Sequence, residues 1–277
     1  TSHDWARKVI DAIKLRAALL VERERDVYTF PHRTFQEYLA GAHLLSQPNF
    51  TTTATALAQH GALWREVVLL AVGKLVHVHQ DIDRPRHLAE ELCPLQHDAS
   101  DTAWRMAWLA GDVLLEIGRN RVRDSNSGKA LDERVRERLV AVLCGGHLPS
   151  VERAKAGTTL GRLGDPRFRQ DAWGLPDESL LGFVKIPKGK FRMGSETSDE
   201  DGYDEERPAD NLFLEDYYIA RYPVTVAQFR AFIEDKSHGH IWEGQEEPQE
   251  ADNHPVVYVS WYDALAYCKW LTARLHK

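Results

Sequence analysis

The densest cluster of reactive side chains in this chain is acidic. Glu196, Asp199, Glu200, Asp201, Asp204, Glu205 and Glu206 place seven carboxylates in eleven residues. Hard cations such as calcium take several carboxylate oxygens at once, so a cation loop is one expectation. Asp199-Glu-Asp-Gly-Tyr-Asp204 lacks the regular ligand spacing of a calcium loop, and most acid runs are solvated surface. A surface loop is the favoured alternative. Val76-His-Val-His79 has the look of a metal pair. On a helix, however, His77 and His79 lie about 200° apart and cannot chelate one ion. The three cysteines, Cys93, Cys144 and Cys268, are far apart and form no C-x-x-C pair. An odd, sparse count argues against a disulfide framework and fits a reducing cytosol. Cys93 and Cys144 sit in apolar helical contexts where inert buried thiols are expected. Gly145-Gly-His-Leu148 reads as a turn, because no strand–helix unit with a lysine follows it. Trp104 and Trp108, spaced i, i+4, are expected in a core. Neither a Ser/His/Asp arrangement nor a paired-carboxylate site follows from residue order, so no catalytic residue is assigned.

The elements that would position these groups change character along the chain. Apolar residues at Val9, Ile10, Ile13, Ala17 and Leu20 predict a helix from Ala6 to Leu20. Leu19 to Phe30 predicts two short strands about a charged turn, with Tyr28 and Phe30 on one face. A helix from about Arg33 follows, its stripe formed by Phe35, Tyr38, Leu39, Ala42 and Leu45. Helix, two-stranded wing, helix is a winged-helix layout. Residues 51–170 are helical by pattern, with helices predicted at Leu63–Val78, Asp101–Ile117, Arg134–Leu143 and Val151–Leu163. Breakers separate them at Asp83-Arg-Pro85, Cys93-Pro94, Asp124 to Gly128, Gly145-Gly146 and Gly164-Asp-Pro166. Helix pairs of roughly 40 residues suggest an α-solenoid. The helical period is lost over 171–182, which reads as a linker.

Beyond it, Phe183 to Gly194 alternates as two short strands around a Pro-Lys-Gly turn, and Leu212 to Tyr222 reads as an aromatic strand. Thr225 with Gln228, and Ser260 with Asp263, are spaced as capping boxes that start two helices. Val226, Phe229, Phe232 and Ile233 are the expected buried stripe of the first. Trp261, Leu265, Cys268, Trp270 and Leu271 are the apolar residues of the second. Val256 to Val259 reads as a last short strand before it.

Composition bounds the class. Hydrophobic content of 43% and charged content of 28% are ordinary for a globular protein. No apolar run approaches the ~20 residues a bilayer span needs, so no membrane partner is expected. Residues 1–180 balance at 24 basic and 24 acidic side chains, whereas 181–277 hold 11 basic and 18 acidic. The whole net charge of −7 therefore falls in the last part. An acidic surface repels phosphate backbones, so direct nucleic-acid binding there is disfavoured. The sequence starts without an initiator Met and has no signal-peptide apolar core near its start, which suggests a piece of a longer cytoplasmic protein.

Three blocks occur in order in the last part: Phe191-Arg-Met-Gly-Ser195, Asp216 to Thr225, and Asn253-His-Pro-Val-Val-Tyr-Val-Ser-Trp-Tyr-Asp-Ala-Leu-Ala-Tyr-Cys-Lys-Trp270. Together, residues 181–277 resemble the N-terminal half of a formylglycine-generating-enzyme (sulfatase-modifying-factor) domain. The resemblance implies a variant of the C-type-lectin-like fold. Its catalysis resides in a late cysteine pair that activates oxygen with copper, and its structural calcium sites also lie downstream. Copper or calcium is thus expected only with that later region. Cys268 matches a position that is a structural half-cystine in some members, and it is not assigned as a nucleophile.

At the other end, Tyr28-Thr-Phe-Pro-His-Arg-Thr-Phe-Gln-Glu-Tyr-Leu-Ala40 resembles the winged-helix block that closes the nucleotide-binding module of NACHT-type STAND ATPases. That resemblance places on His32 a contact to the β-phosphate of ADP. An imidazole at a helix N-terminus can donate to phosphate, and the helix dipole favours an anion there. The alternative is that His32 packs against a helix end. Val151 to Pro166 resembles a HEAT-like helix ending in Leu-Gly-Asp-Pro.

The expected architecture is α+β and multidomain: 1–50 as the end of a NACHT-type winged-helix region, 51–170 as HEAT-like repeats, 171–182 as linker, and 183–277 as a partial C-type-lectin-like domain. The function these resemblances imply is that of a signalling or defence regulator. It would use ADP or ATP, recognise a protein or small ligand through its C-terminal domain or solenoid, and form an oligomer when activated. An oxidoreductase of the formylglycine-generating type and a helical-repeat protein-binding scaffold are the alternatives. The partial C-terminal domain is expected to be poorly stable alone, because unpaired strand edges are a liability.

Overall fold

The structure is a computed structural model that describes residues 4–5, 8–9, 20–24, 27–61, 63–96, 98–235 and 252–276. Most of the expected helix Ala6–Leu20 lies outside the described residues. By its contacts the chain divides into two units, Thr1–Leu163 and Gly164–Lys277.

In the first unit, β1 (Val21–Glu24) and β2 (Val27–Thr29) pair antiparallel as the expected wing. Pro31 ends the wing, and α1 (Arg33–Leu45) follows. Then come α2 (Phe50–Gln59), α3 (Leu63–Gly73), a π-helical turn (Lys74–Val78) and α4 (Asp83–Leu92). The rest is α5 (Asp101–Ile117), the short α6 (Arg119–Val122), α7 (Asn126–Gly145) and α8 (Ser150–Leu163). The helices α1 and α3 pack together, as do α2 and α4, while α5 touches α3, α4, α7 and α8. Apolar periodicity makes α5 the centre: Trp104, Ala107, Trp108, Leu109, Val113, Leu114 and Ile117 are all buried in one core. Its span is the one the sequence predicts, because Ser100 caps it by accepting from the Ala103 amide and Gly118, at φ 90°, ends it.

Three boundaries and one face differ from expectation. Pro85 lies inside α4, in the first turn, where an amide has no intrahelical partner and its loss costs little. The breaker Asp124 to Gly128 holds the start of α7, because Ser125 accepts from the Gly128 amide at 3.1 Å. The helix that begins at Leu63 leaves the α-helical pattern at Lys74 and finishes as the π turn. The stripe expected on α1 is rotated. Phe35, Tyr38 and Leu39 are 40%, 50% and 48% exposed, while Gly41 and Leu44 are buried. The cause is a close approach: a Cβ on Gly41 would lie 3.0 Å from the Val67 carbonyl oxygen of α3. Tyr38 instead carries the Lys74 ammonium 5.6 Å from its ring centroid.

A polar relay runs through the same core. Trp108 Nε1 donates to Thr159 Oγ1 at 3.0 Å, and Thr159 Oγ1 donates to Asp112 Oδ1 at 2.7 Å. Arg65 pairs with Asp112 and lies over the Trp108 ring at 4.4 Å. Residues of α3, α5 and α8 are joined in one polar network, in which the Trp108 indole, the Thr159 hydroxyl and the Asp112 carboxylate each have a partner.

The second unit begins with β3 (Phe168–Arg169) paired to β4 (Leu175–Pro176). It continues with β5 (Phe183–Ile186), β6 (Gly189–Met193), β7 (Asp210–Leu214), β8 (Tyr217–Ala220), α9 (Val226–Glu234) and α10 (Trp261–Leu275). Phe183–Gly194 forms two strands as expected, but they do not pair with each other. Instead β5 pairs with β8 and β6 with β7, both antiparallel, so 183–193 runs back against 210–220. Pro187 has no amide to donate, and the ladder is interrupted there. Across the gap, Asp216 accepts from the Lys188 amide and from Lys185 Nζ, both at 2.7 Å. The expected strand Leu212–Tyr222 is accordingly split at Glu215-Asp216.

The core of this unit is Leu175, Phe229, Phe232, Tyr267, Trp270 and Leu271, with Trp173, Leu181 and Phe183 packed against it. Residues 171–182, expected as a linker, therefore pack as part of the C-terminal unit. Hydrophobic contact made by Trp173, Leu175 and Leu181 outweighs their polar neighbours.

Candidate functional site

His32 occupies the N-cap position of α1, with extended backbone at φ −126° and ψ 133°. The Phe35 amide donates to its carbonyl oxygen at 3.2 Å, while its imidazole makes no capping bond. The ring lies 6.2 Å from that of Phe35 and is exposed. The side chain thus stands beside the unpaired amides and positive dipole end of a thirteen-residue helix. His32 lies between the wing and α1.

The acidic residues between Glu196 and Glu206 are all exposed, and several are tied to groups of their own loop. Gly194, at φ 95°, brings the chain so close to Glu206 that an added Cβ would lie 2.3 Å from the Glu206 carbonyl oxygen. Ser195 closes the loop twice, through its amide to the Glu206 carbonyl at 2.9 Å and its hydroxyl to Glu206 Oε2 at 2.7 Å. Arg207 binds Asp204 Oδ1 at 3.1 Å and the Asp199 carbonyl, and Arg192 pairs with Glu196. This is the arrangement of a surface loop held by its own cations.

The remaining sequence candidates separate. His77 Nε2 lies 2.9 Å from Glu116 Oε1, whereas His79 follows the π turn as its cap. Trp104 and Trp108 are buried, and Trp104 stacks on His147 at 4.5 Å. Gly146, at φ 67°, ends α7 in a left-handed turn. Cys93 is buried, and burial pushes its thiol up against the opposing pull of Arg134, which keeps it protonated and unreactive. Cys144 and Cys268 are exposed. For Cys144 this corrects the expectation of a buried thiol, since it falls on the outer side of the last turn of α7. Among the described residues no group of three or more His, Cys, Asp or Glu side chains could hold a metal ion. No helix among them is long and apolar enough to cross a membrane.

In the C-terminal unit both capping boxes are formed. Thr225 Oγ1 accepts from the Gln228 amide at 3.3 Å, and Gln228 Oε1 accepts from the Thr225 amide at 3.0 Å. Ser260 and Asp263 repeat the exchange at 3.3 and 2.8 Å. Gln228 also donates to the Gly174 carbonyl at 2.9 Å, which buries a polar residue on the apolar side of α9. The segment 252–256 then lies along the start of α9. The Asp252 and His254 carbonyls take the Ala227 and Val226 amides, and the Val256 amide reaches the Val224 carbonyl at 2.8 Å. The expected strand Val256–Val259 is replaced by a single bridge between Thr225 and Pro255, because Tyr258 turns to φ 59° and ends the extended run. On α10 the buried residues are Tyr267, Trp270 and Leu271, while Trp261 is 69% exposed. The face expected to include Trp261 and Cys268 is shifted toward Tyr267, which packs between Phe229 and Phe232. Tyr267 is the core residue that apolar periodicity missed, its hydroxyl having hidden it. Tyr258, Trp261 and Tyr262 are left as an exposed aromatic group on the N-terminal side of α10.

Residues 170–277 match the family described as sulfatase-modifying factor enzyme 1-like domain, and residues 2–44 match the winged helix-turn-helix domain C-terminal to NACHT. Both domains are present in this chain. Among the similar proteins, the formylglycine-generating enzyme of Thermomonospora curvata is 32% identical over 142 residues, covering 36% of this chain and 47% of that protein. The mouse (Mus musculus) formylglycine-generating enzyme is 28% identical over 142 residues, covering 35% and 37%. The serine/threonine-protein kinase pkn1 of Chlamydia caviae is 30% identical over 118 residues, covering 36% and 18%. The chain spans about half the length, or less, of these relatives. No solved structure matches it.

Proposed function

We propose that this chain is part of a bacterial-type, cytoplasmic STAND regulator. Its winged helix senses the nucleotide state, its helices form a HEAT-like arm, and its sulfatase-modifying-factor domain, of lectin-like fold, recognises a ligand or partner protein. The observation that supports this reading is the joining of a NACHT-associated winged helix and a sulfatase-modifying-factor domain in one chain. A fold can keep its scaffold while its surface changes from catalysis to binding. The same kind of domain appears in relatives named as a protein kinase and as an inactive formylglycine-generating enzyme.

In this proposal His32 donates to a phosphate of ADP and holds the closed state, and exchange for ATP releases it and permits assembly. The exposed imidazole at the α1 N-terminus supports that role. The test is ADP retention through gel filtration by the full-length protein, compared with its His32→Ala variant. Loss of bound ADP is expected, and unchanged retention would remove the nucleotide-sensing role.

The 32% identity to a formylglycine-generating enzyme favours a second reading, an oxidoreductase of that type. Oxygen consumption by the full-length protein on a cysteine-containing peptide distinguishes the two. The regulator reading expects none above background.

A further inference from the structure

Asp132 of α7 has no solvent exposure, and three guanidiniums converge on it. Arg119 Nε lies 3.2 Å from Oδ1, Arg123 Nη1 2.6 Å from Oδ2, and Arg136 Nε 3.3 Å from Oδ2. The neighbouring Glu133 lies 3.8 Å from Arg123, and Arg121 donates to the Ile117 carbonyl. Three guanidiniums therefore surround the buried Asp132, with Glu133 beside Arg123. The imbalance extends along the chain, since residues 119–138 hold seven Lys or Arg and only four Asp or Glu.

One carboxylate accepts about four hydrogen bonds, while each guanidinium carries five N–H donors. Asp132 cannot use what three arginines offer. The Arg119 and Arg123 side chains keep 35% and 31% of their surface exposed, so part of each fork faces water. Planar forks with surplus positive charge are the donors that bind tetrahedral oxyanions. Their bonds to buried Asp132 already hold them in place, so an arriving anion immobilises little that is free.

We propose that Arg119 and Arg123, positioned by Asp132, form a binding site for a free phosphate- or sulfate-sized oxyanion at the corner between α6 and α7. Asp132 acts as the positioning residue. The site is independent of the nucleotide role assigned to His32.

The probe is inorganic phosphate, titrated into the 277-residue chain at constant ionic strength set with chloride. Phosphate should raise the melting temperature of the helical unit in a saturable way beyond chloride. Arg123→Gln and Arg119→Gln should remove that increment, whatever they do to the melting temperature without phosphate. Glu133→Gln removes an exposed competing charge and should tighten phosphate binding roughly threefold. Line broadening of the phosphate 31P resonance gives a direct reading that does not depend on unfolding. It should appear with the parent protein and weaken with either arginine variant. An increment equal to that of chloride, or one that survives in both arginine variants, would overturn the site and leave the cluster as the counter-charge of Asp132 alone.

Discussion

Asn253 Nδ2 donates to Asp165 Oδ2 at 3.1 Å, joining the first turn of the C-terminal unit to the segment that lies along α9. Asp165 is held from its other side by Arg167, whose Nε lies 2.9 Å from Oδ1 and whose Nη2 lies 2.6 Å from Oδ2. Together with the Gln228 bond to Gly174, this pins residues 164–176 to the helices that follow.

Asp165→Asn should destabilise the C-terminal unit by about 1–3 kcal/mol at neutral pH, because it leaves the Arg167 fork without its counter-charge. Burial pushes the Asp165 carboxyl up, but the Arg167 bonds and charge, with the Asn253 bond, outweigh it and hold the carboxyl below the usual carboxylate range. The unfolded chain, with a carboxyl pKa of about 3.9, therefore binds the proton more readily. The contribution is complete above that value and is lost as pH falls through the lower, folded value. Urea unfolding followed by tryptophan fluorescence should show the deficit of the variant at pH 7 and its shrinkage near pH 3. A deficit that is the same at both values would contradict this assignment.

Gly41→Ala tests the close approach of α1 and α3. In an exposed helix interior this change gains about 1 kcal/mol. Here the new Cβ meets the Val67 carbonyl and the Ala71 amide at 3.0 and 3.3 Å, both backbone atoms. The expected sign is reversed, with a loss of about 1–2 kcal/mol in thermal unfolding.

Thr159→Val preserves shape and removes the hydroxyl that accepts from Trp108 and donates to Asp112. Two buried polar groups lose a partner, so a loss of about 2 kcal/mol is expected. Hydrogen exchange should show faster opening of both α5 and α8. Faster exchange in α8 alone would mean that the relay does not couple them.

His32 makes no capping bond, so His32→Ala should change stability by no more than about 0.5 kcal/mol. His32→Ser should instead stabilise α1 by about 1 kcal/mol through a new N-cap. Melting curves of the two variants check this. They also separate a lost phosphate contact from a lost fold in the ADP-retention experiment.

Local signals were legible wherever the deciding atoms lie a few residues apart. The caps at Thr225 and Ser260 and the end of α8 at Leu163 followed from residue types within one turn. The blocks that carry the two family resemblances were equally readable, since they are short runs of sequence. His32 was located at a helix start for the same reason.

Where a partner had to be known, the sequence was silent. A helical stripe tells which residues share a face, but the small residue Gly41, not Phe35, decided which face of α1 meets α3. Alternation predicted strands at 183–194 without naming their partners, which proved to be β8 and β7. The membership of 164–182 in the C-terminal unit and the convergence of three arginines on Asp132 are likewise contacts formed only on folding. Short-range hydrogen bonding and side-chain shape belong to the sequence by itself. Pairing across long chain separations is chosen by the whole set of surfaces that pack together, and only the tertiary structure decided it.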